Sequence, residues 1–246
     1  MYPHIQIAGH DLSTYWLVFA LGIFLMLGYN IYRSAKHRKK TAETVLMTLY
    51  LILTSLVGAK MLYYMENISV LFEKGIALNG VSFFGAVFLA PLGVLLFCKL
   101  QQKQWKIEMD FYTPSLVLML AVLRLGCFVS GCCGGTAVTL AGYHIAHFPA
   151  QLTECAVDLL ILGGLLLYEH FWKKKGRLYL FFLVYYGILR FVLEFARDTK
   201  KDWLGLSHGQ WFSMIAIAVG GYLLHSFGKR ERKEEYRSRN RRKRKK

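Results

Sequence analysis

Tyr186, Arg190, Glu194 and Arg197 stand four, four and three residues apart in the run YGILRFVLEFAR. A helix brings such positions onto one stripe. Another arginine, Arg124, closes a long apolar run just ahead of Gly126-Cys127-Phe128-Val129-Ser130-Gly131-Cys132-Cys133. An arginine inside hydrocarbon costs about 2.5 to 3.5 kcal/mol on insertion scales, so it persists mainly where it faces a polar cavity or a charged partner. Two guanidiniums aimed into one cavity suit an oxyanion such as a phosphate, because their planar forks grip its oxygens two at a time. Glu194 can neutralise one arginine and leave another available. The stripe also reads as an Arg–Glu pair that locks one helix to its neighbour, since buried charges are normally paired whatever their purpose. Arg124, at a similar depth, favours a site.

A second polar segment is His147-Phe148-Pro149-Ala150-Gln151-Leu152-Thr153-Glu154. Gln151 and Glu154 fall three apart on the first turn of a helix, hence on one face. A carboxylate just inside a span needs a partner, and Arg124 or Arg190 would serve. His147 reads first as a loop residue, and Pro149 as an ordinary helix-start signal. The five cysteines, Cys98, Cys127, Cys132, Cys133 and Cys155, are odd in number and do not make a secreted disulfide framework. Adjacent Cys132 and Cys133 are poorly placed to chelate one ion, and no second C-x-x-C or His pair accompanies them. Small, weakly polar packing in a Gly-rich turn is the first reading, ahead of a redox thiol pair and of a metal site.

These residues need elements to position them. The chain has 246 residues, 55% of them hydrophobic and 19% charged, where a soluble domain is about half apolar and a quarter charged. It reads as an all-α integral membrane protein. A span needs about 20 apolar residues, and seven stretches qualify: 12–32, 45–65, 81–100, 111–130, 150–171, 178–195 and 210–227. No cleavable signal peptide is evident, because the first apolar run lacks a basic leading region and a small-residue exit. Charge alternates along the connections. Twenty-four Lys and Arg fall on one side, counting twelve in the tail from Lys229 to Lys246, against Lys74, Arg197, Lys200 and Lys201 on the other. The positive-inside rule then puts the N-terminus outside and the C-terminus in the cytoplasm. Lys60, Arg124 and Arg190 are left inside or at the ends of spans.

The organisation expected is one polytopic membrane domain over 1–228 and a basic, unstructured tail over 229–246. The net charge of +16 sits largely in that tail, so it points to anionic headgroups on the cytoplasmic leaflet and not to nucleic acid. No internal repeat supports a two-fold transporter pathway. Glycines within the spans, Gly58 among them, read as close-packing positions.

Taken together the motifs resemble the prolipoprotein diacylglyceryl transferase family, from about Tyr15 to Gln210. Tyr15 looks like the family's early tyrosine, and Gly58-Ala59-Lys60 with Tyr63-Tyr64 like its G-A-R/K followed by aromatics. Ser82-Phe83-Phe84-Gly85-Ala86 stands where the family has S-F-H-G-G, and Arg124 to Gly131 answers R-I-G-N-F-x-N-G. Phe148-Pro149-Ala150-Gln151-Leu152-Thr153-Glu154 stands where the family has H-P-x-Q-L-x-E. Tyr186 to Arg197 matches Y-G-x-x-R-F-x-x-E-x-x-R, and Leu206-Ser207-His208-Gly209-Gln210 matches L-S-x-G-Q.

The resemblance implies transfer of a diacylglyceryl group from phosphatidylglycerol to the lipobox cysteine of a prolipoprotein, by a multi-pass protein of the bacterial cytoplasmic membrane. No metal or soluble cofactor is implied. Arg124 and Arg190 would hold the phosphate, Glu154 and Glu194 would orient them, and Tyr15 would lie near the headgroup. Arg197, Tyr186, Gln151, Lys60, Ser82, Ser130 and Gly131 would complete the substrate contacts. Among the family positions that differ, the histidine is Phe84, and the two asparagines are Cys127 and Ser130. The base is therefore open, with His147 and His208 as candidates. Two other functions stay in view, a non-catalytic relative that binds lipid or a lipoprotein precursor, and a membrane thiol oxidoreductase using Cys127, Cys132 and Cys133.

Overall fold

The computed structural model describes residues 4–7, 10–69, 72, 81–140, 143–145, 147–172, 176–197, 199 and 204–243. Lys74, Lys173, Lys174, Lys175, Lys200, Lys201, Arg244, Lys245 and Lys246 of the charge pattern lie outside them. The described residues form seven α-helices: α1 (Thr14–Lys36), α2 (Thr41–Glu66), α3 (Phe83–Leu100), α4 (Trp105–Ser130), α5 (Ala150–Trp172), α6 (Leu178–Leu193) and α7 (His208–Lys243). Six of the seven have a stretch long and apolar enough to cross a bilayer, and α3 is the short one. Its 18 residues rise about 27 Å, close to the roughly 30 Å of a hydrocarbon core. Hydropathy thus located each of the seven helices of the described residues.

The structure departs from the sequence reading in two places. Two short antiparallel hairpins stand beside the helices, β1 (His4–Ile7) with β2 (His10–Ser13) and β3 (Val138–Leu140) with β4 (Tyr143–Ile145). Strands of three or four residues carry too little alternation to register in an apolar scan. The charged tail, expected to be unstructured, instead continues α7 to Lys243. Lys, Arg and Glu are good helix formers, and a helix that extends an existing span needs no new nucleus.

Consecutive helices run up and down, so polar side chains collect at two ends of the bundle. At the end of the basic connections, Arg33 donates both terminal nitrogens to Glu169, at 2.9 and 2.8 Å, and ties α1 to α5. Lys39 pairs with Glu108 and Lys103 with Glu43, joining the starts of α2 and α4. Asp110 accepts from the backbone N–H groups of Gly176 and of Leu178, the latter at 2.9 Å. A carboxylate from α4 thereby satisfies the free donors at the start of α6. Gly176 can turn into that start because its φ is +85°, which a side chain would resist. Replacing Asp110 by alanine is expected to lower stability by about 1 to 2 kcal/mol. Thermal melting in detergent should read this loss.

The middle of the bundle is apolar and tight. Phe182, Met47, Val87 and Val117 are fully buried. Helices α2 and α3 cross where Gly58 meets Gly85; a Cβ built on Gly85 would lie 2.1 Å from the Gly58 carbonyl oxygen. No side chain fits there, as the packing of small residues in membrane helices requires. The outer surface carries large apolar side chains such as Phe24, Leu53 and Leu160, a lipid-facing pattern for a chain of this composition.

Candidate active site

At the other end of the bundle, α4 ends on Arg124 to Ser130, α5 begins on Gln151 and Glu154, and α6 ends on Tyr186 to Leu193. A single 3-10 turn, Glu194–Ala196, follows α6 directly. This tighter turn keeps Arg197 on the same side as Arg190 and Glu194. Helix α7 starts beside it with a reciprocal cap: Ser207 N–H donates to Gln210 Oε1 at 3.0 Å, and Gln210 N–H donates to Ser207 Oγ at 3.2 Å. The spacing Ser-x-x-Gln is that of a capping box.

The charged residues of three segments converge on Glu154, which is 4% exposed. Arg124 Nε lies 2.8 Å from Glu154 Oε2. Arg190 Nη1 and Arg197 Nη1 both approach Glu154 Oε1, the latter at 2.8 Å. Arg190 Nη2 also pairs with Glu194 Oε2 at 2.8 Å, and Arg197 Nε lies 3.7 Å from the same oxygen. Glu194 accepts a further hydrogen bond from Ser207 Oγ at 3.0 Å. Three guanidiniums share two carboxylates, so the ion-paired set keeps one surplus positive charge. Buried charges hold only when paired and hydrogen-bonded. One surplus cation in such a setting suits one monoanion.

Tyr186 is buried, and its hydroxyl accepts from Arg124 Nη2 at 3.4 Å. Gln151 donates from Nε2 to the Cys132 carbonyl at 2.7 Å, holding the loop after α4 against the start of α5. Gly131 ends α4 with φ +74°, and Ser130 has a buried hydroxyl beside it. Tyr15, the second residue of α1, is half-buried against Gly126. Ser82 precedes α3 and donates from Oγ to Glu66 at 3.2 Å. Lys60 places Nζ 5.8 Å from the ring centres of Tyr63 and Tyr64. The exposed His147 takes no part in the arginine–carboxylate network.

Phe84, at the position of the family histidine, is 5% exposed and packs on Phe88, Tyr186 and Phe212. Position 84 thus supplies an aromatic core contact beside the cluster. The loop Gly131 to Gly135 lies over the arginines, and Gly135 forms a β-bridge with Arg197. In that loop, outside the spans, the Cys133 thiol is lowered below its ordinary range, first by its hydrogen bond with Cys127 and, against desolvation, by Arg197 and Arg124.

One residue escaped the sequence reading. Asp158 is 2% exposed and lines the same small cavity as Arg124, Glu154, Tyr186 and Arg190. Its signal was present, since Gln151, Glu154 and Asp158 continue one helical stripe at steps of three and four.

A bundle of helices long and apolar enough to cross a bilayer, with a buried, cation-rich cluster at one end, defines the class: a multi-pass helical membrane protein. The family model described as prolipoprotein diacylglyceryl transferase matches residues 4–226, and the chain belongs to that family. A phosphatidylglycerol–prolipoprotein diacylglyceryl transferase of Clostridium tetani (strain Massachusetts / E88) is 27% identical over 238 residues, 89% of this chain and 95% of the relative. Phosphatidylglycerol–prolipoprotein diacylglyceryl transferase 2 of Clostridium perfringens (strain 13 / Type A) is 27% identical over 250 residues, 94% and 96% of the two chains. One of Acinetobacter baumannii (strain SDF) is 28% identical over 261 residues, 91% and 93%. The resemblance read from the motifs is borne out.

Proposed function

We propose that this protein transfers a diacylglyceryl group from phosphatidylglycerol to the lipobox cysteine thiol of a prolipoprotein and releases glycerol phosphate. The observation that carries the reading is the cluster in which Arg124, Arg190 and Arg197 share Glu154 and Glu194. Its surplus of one positive charge complements the single negative charge of a phosphodiester. When the carbon–oxygen bond breaks, a second charge develops on the departing phosphate. Preorganised guanidiniums in a water-poor site stabilise that charge without having to reorganise. Arg124 and Arg190 hold the phosphate, Glu154 and Glu194 fix their forks, and Arg197 closes the set. Tyr15, Tyr186, Gln151, Lys60, Ser82, Ser130 and Gly131 line the approach to the headgroup and the signal peptide.

The site faces the outside of the bacterial cytoplasmic membrane, with the N-terminus outside. The three basic connections and the tail lie inside, against anionic lipid. The test is purified protein in vesicles of phosphatidylglycerol labelled in its acyl chains, supplied with a synthetic peptide that carries a lipobox cysteine. Label is expected on the peptide and not on its Cys→Ser counterpart. Phe84 supports one other reading, a relative that binds lipid or precursor without catalysis. Bound lipid with no labelled peptide would establish that reading instead.

A further inference from the structure

Three thiols have no part in the transfer so far. Cys127 sits on the last turn of α4 and is buried. The chain then reverses at Gly131, where Cys132 N–H donates back to the Cys127 carbonyl at 3.1 Å. Neighbouring side chains on extended backbone point to opposite faces. Cys133 escapes that rule because its own backbone is left-handed, at φ 60°, which is uncommon for a residue with a side chain. In consequence the three sulfur atoms all lie within 4.8 Å of one another. The sequence argued against a metal because adjacent cysteines diverge; the fold removes that objection.

Sulfurs bound to one tetrahedral Zn2+ at about 2.3 Å stand about 3.8 Å apart, so the cluster need contract by at most about 1 Å. Thiolates also select soft or borderline ions over Mg2+ and Ca2+. Three protein ligands leave the fourth position open, as in catalytic and not structural zinc sites. We propose that Cys127, Cys132 and Cys133 hold a Zn2+ ion whose open position receives the acceptor thiol as thiolate. This deepens the transfer reading and rests on it. The proposed reaction must deprotonate a thiol, the family histidine is a buried Phe84, and a thiol that coordinates a metal loses its proton outright. The loop that carries Cys132 and Cys133 is tied to the arginine cluster, for Gln151 holds the Cys132 carbonyl and Gly135 bridges Arg197.

On coordination the acceptor thiol gives its proton to water. Its sulfur lone pair then forms the bond to the glyceryl carbon. The bond from that carbon to the phosphate oxygen breaks, and its electron pair stays on the oxygen between Arg124 and Arg190. Glycerol phosphate leaves with the added negative charge, and no group is oxidised or reduced.

The test uses the full chain in detergent, reduced and stripped with a chelator, then titrated with Zn2+ and with Co2+. One Zn2+ retained per chain is expected by elemental analysis. Co2+ should develop a thiolate charge-transfer band that is lost in the Cys127→Ser/Cys132→Ser/Cys133→Ser variant and weakened in Cys133→Ser alone, whose melting reports that it is folded. Adding the lipobox peptide should shift the Co2+ spectrum, and its Cys→Ser counterpart should not. Failure to retain metal with all three thiols free, or isolation of a disulfide among them, overturns the site. Bound metal with no peptide-induced shift overturns the open position. A spectral shift without lipid transfer by the loaded protein would leave the metal site standing and remove the transferase reading.

Discussion

Arg190→Ala is expected to lower kcat/KM for lipid transfer by about 100- to 1000-fold, the cost of deleting one preorganised donor to a developing oxyanion. The reason lies in the charge count. With Arg190 gone, Glu154 keeps Arg124 and Arg197, and Glu194 keeps Arg197 and Ser207. No carboxylate is stranded, so the protein should insert and fold. What disappears is one guanidinium fork, because two guanidiniums then face Glu154 and Glu194, with the Asp158 carboxyl in the same cavity. A monoanionic headgroup no longer meets a complementary site. Arg190→Lys restores the charge without the fork and is expected to recover only part of the rate. The assay is transfer to the lipobox peptide, normalised to protein in the membrane. Normal activity in Arg190→Ala would remove the phosphate clamp from the account.

Glu154→Ala acts in the opposite way. It takes out the carboxylate that Arg124, Arg190 and Arg197 share, leaves Arg190 and Arg197 to Glu194, and removes the Arg124 ion pair to Glu154. Breaking a buried pair by removing one partner costs about 3 to 5 kcal/mol, and here three pairs lose the same partner. The expected result is a sharp fall in thermal midpoint and in the amount of protein recovered from the membrane, with transfer lost as well. The two substitutions are thus separable. Arg190→Ala should be folded and inactive, whereas Glu154→Ala should be poorly folded. A Glu154→Ala protein as stable as the parent would mean that the arginines repel one another less than their geometry implies.

Much of the site is legible in the sequence because helical spacing turns sequence separation into direction. The steps from Tyr186 to Glu194, and from Gln151 to Glu154, put their side chains on single faces by spacing alone, whereas Arg197 reaches the same side through the 3-10 turn after α6. The membrane penalty on Arg124 then requires an acidic partner, which is Glu154. Asp158 lies on the same stripe and is easily passed over because it stands deeper in an apolar run. The hairpins β1–β2 and β3–β4 escape because hydropathy sees length and they have little. The tail reads as charge by composition, yet a helix already begun at His208 carries it to Lys243. The cysteines are the least legible. Their convergence depends on one left-handed residue, Cys133, and no spacing rule announces a positive φ at a residue other than glycine.

Position 84 belongs to the aromatic packing that reaches the arginine cluster through Tyr186. Phe84 completes an aromatic set with Phe88, Tyr186 and Phe212, and the hydroxyl of Tyr186 still reaches Arg124.

The most direct test of the central claim is to express this chain in bacteria depleted of their own diacylglyceryl transferase and to weigh a reporter prolipoprotein by mass spectrometry. The account predicts a gain equal to one diacylglyceryl group on the lipobox cysteine, absent when Arg190→Ala is expressed at the same level. A reporter that stays unmodified while the protein is present in the membrane would contradict it.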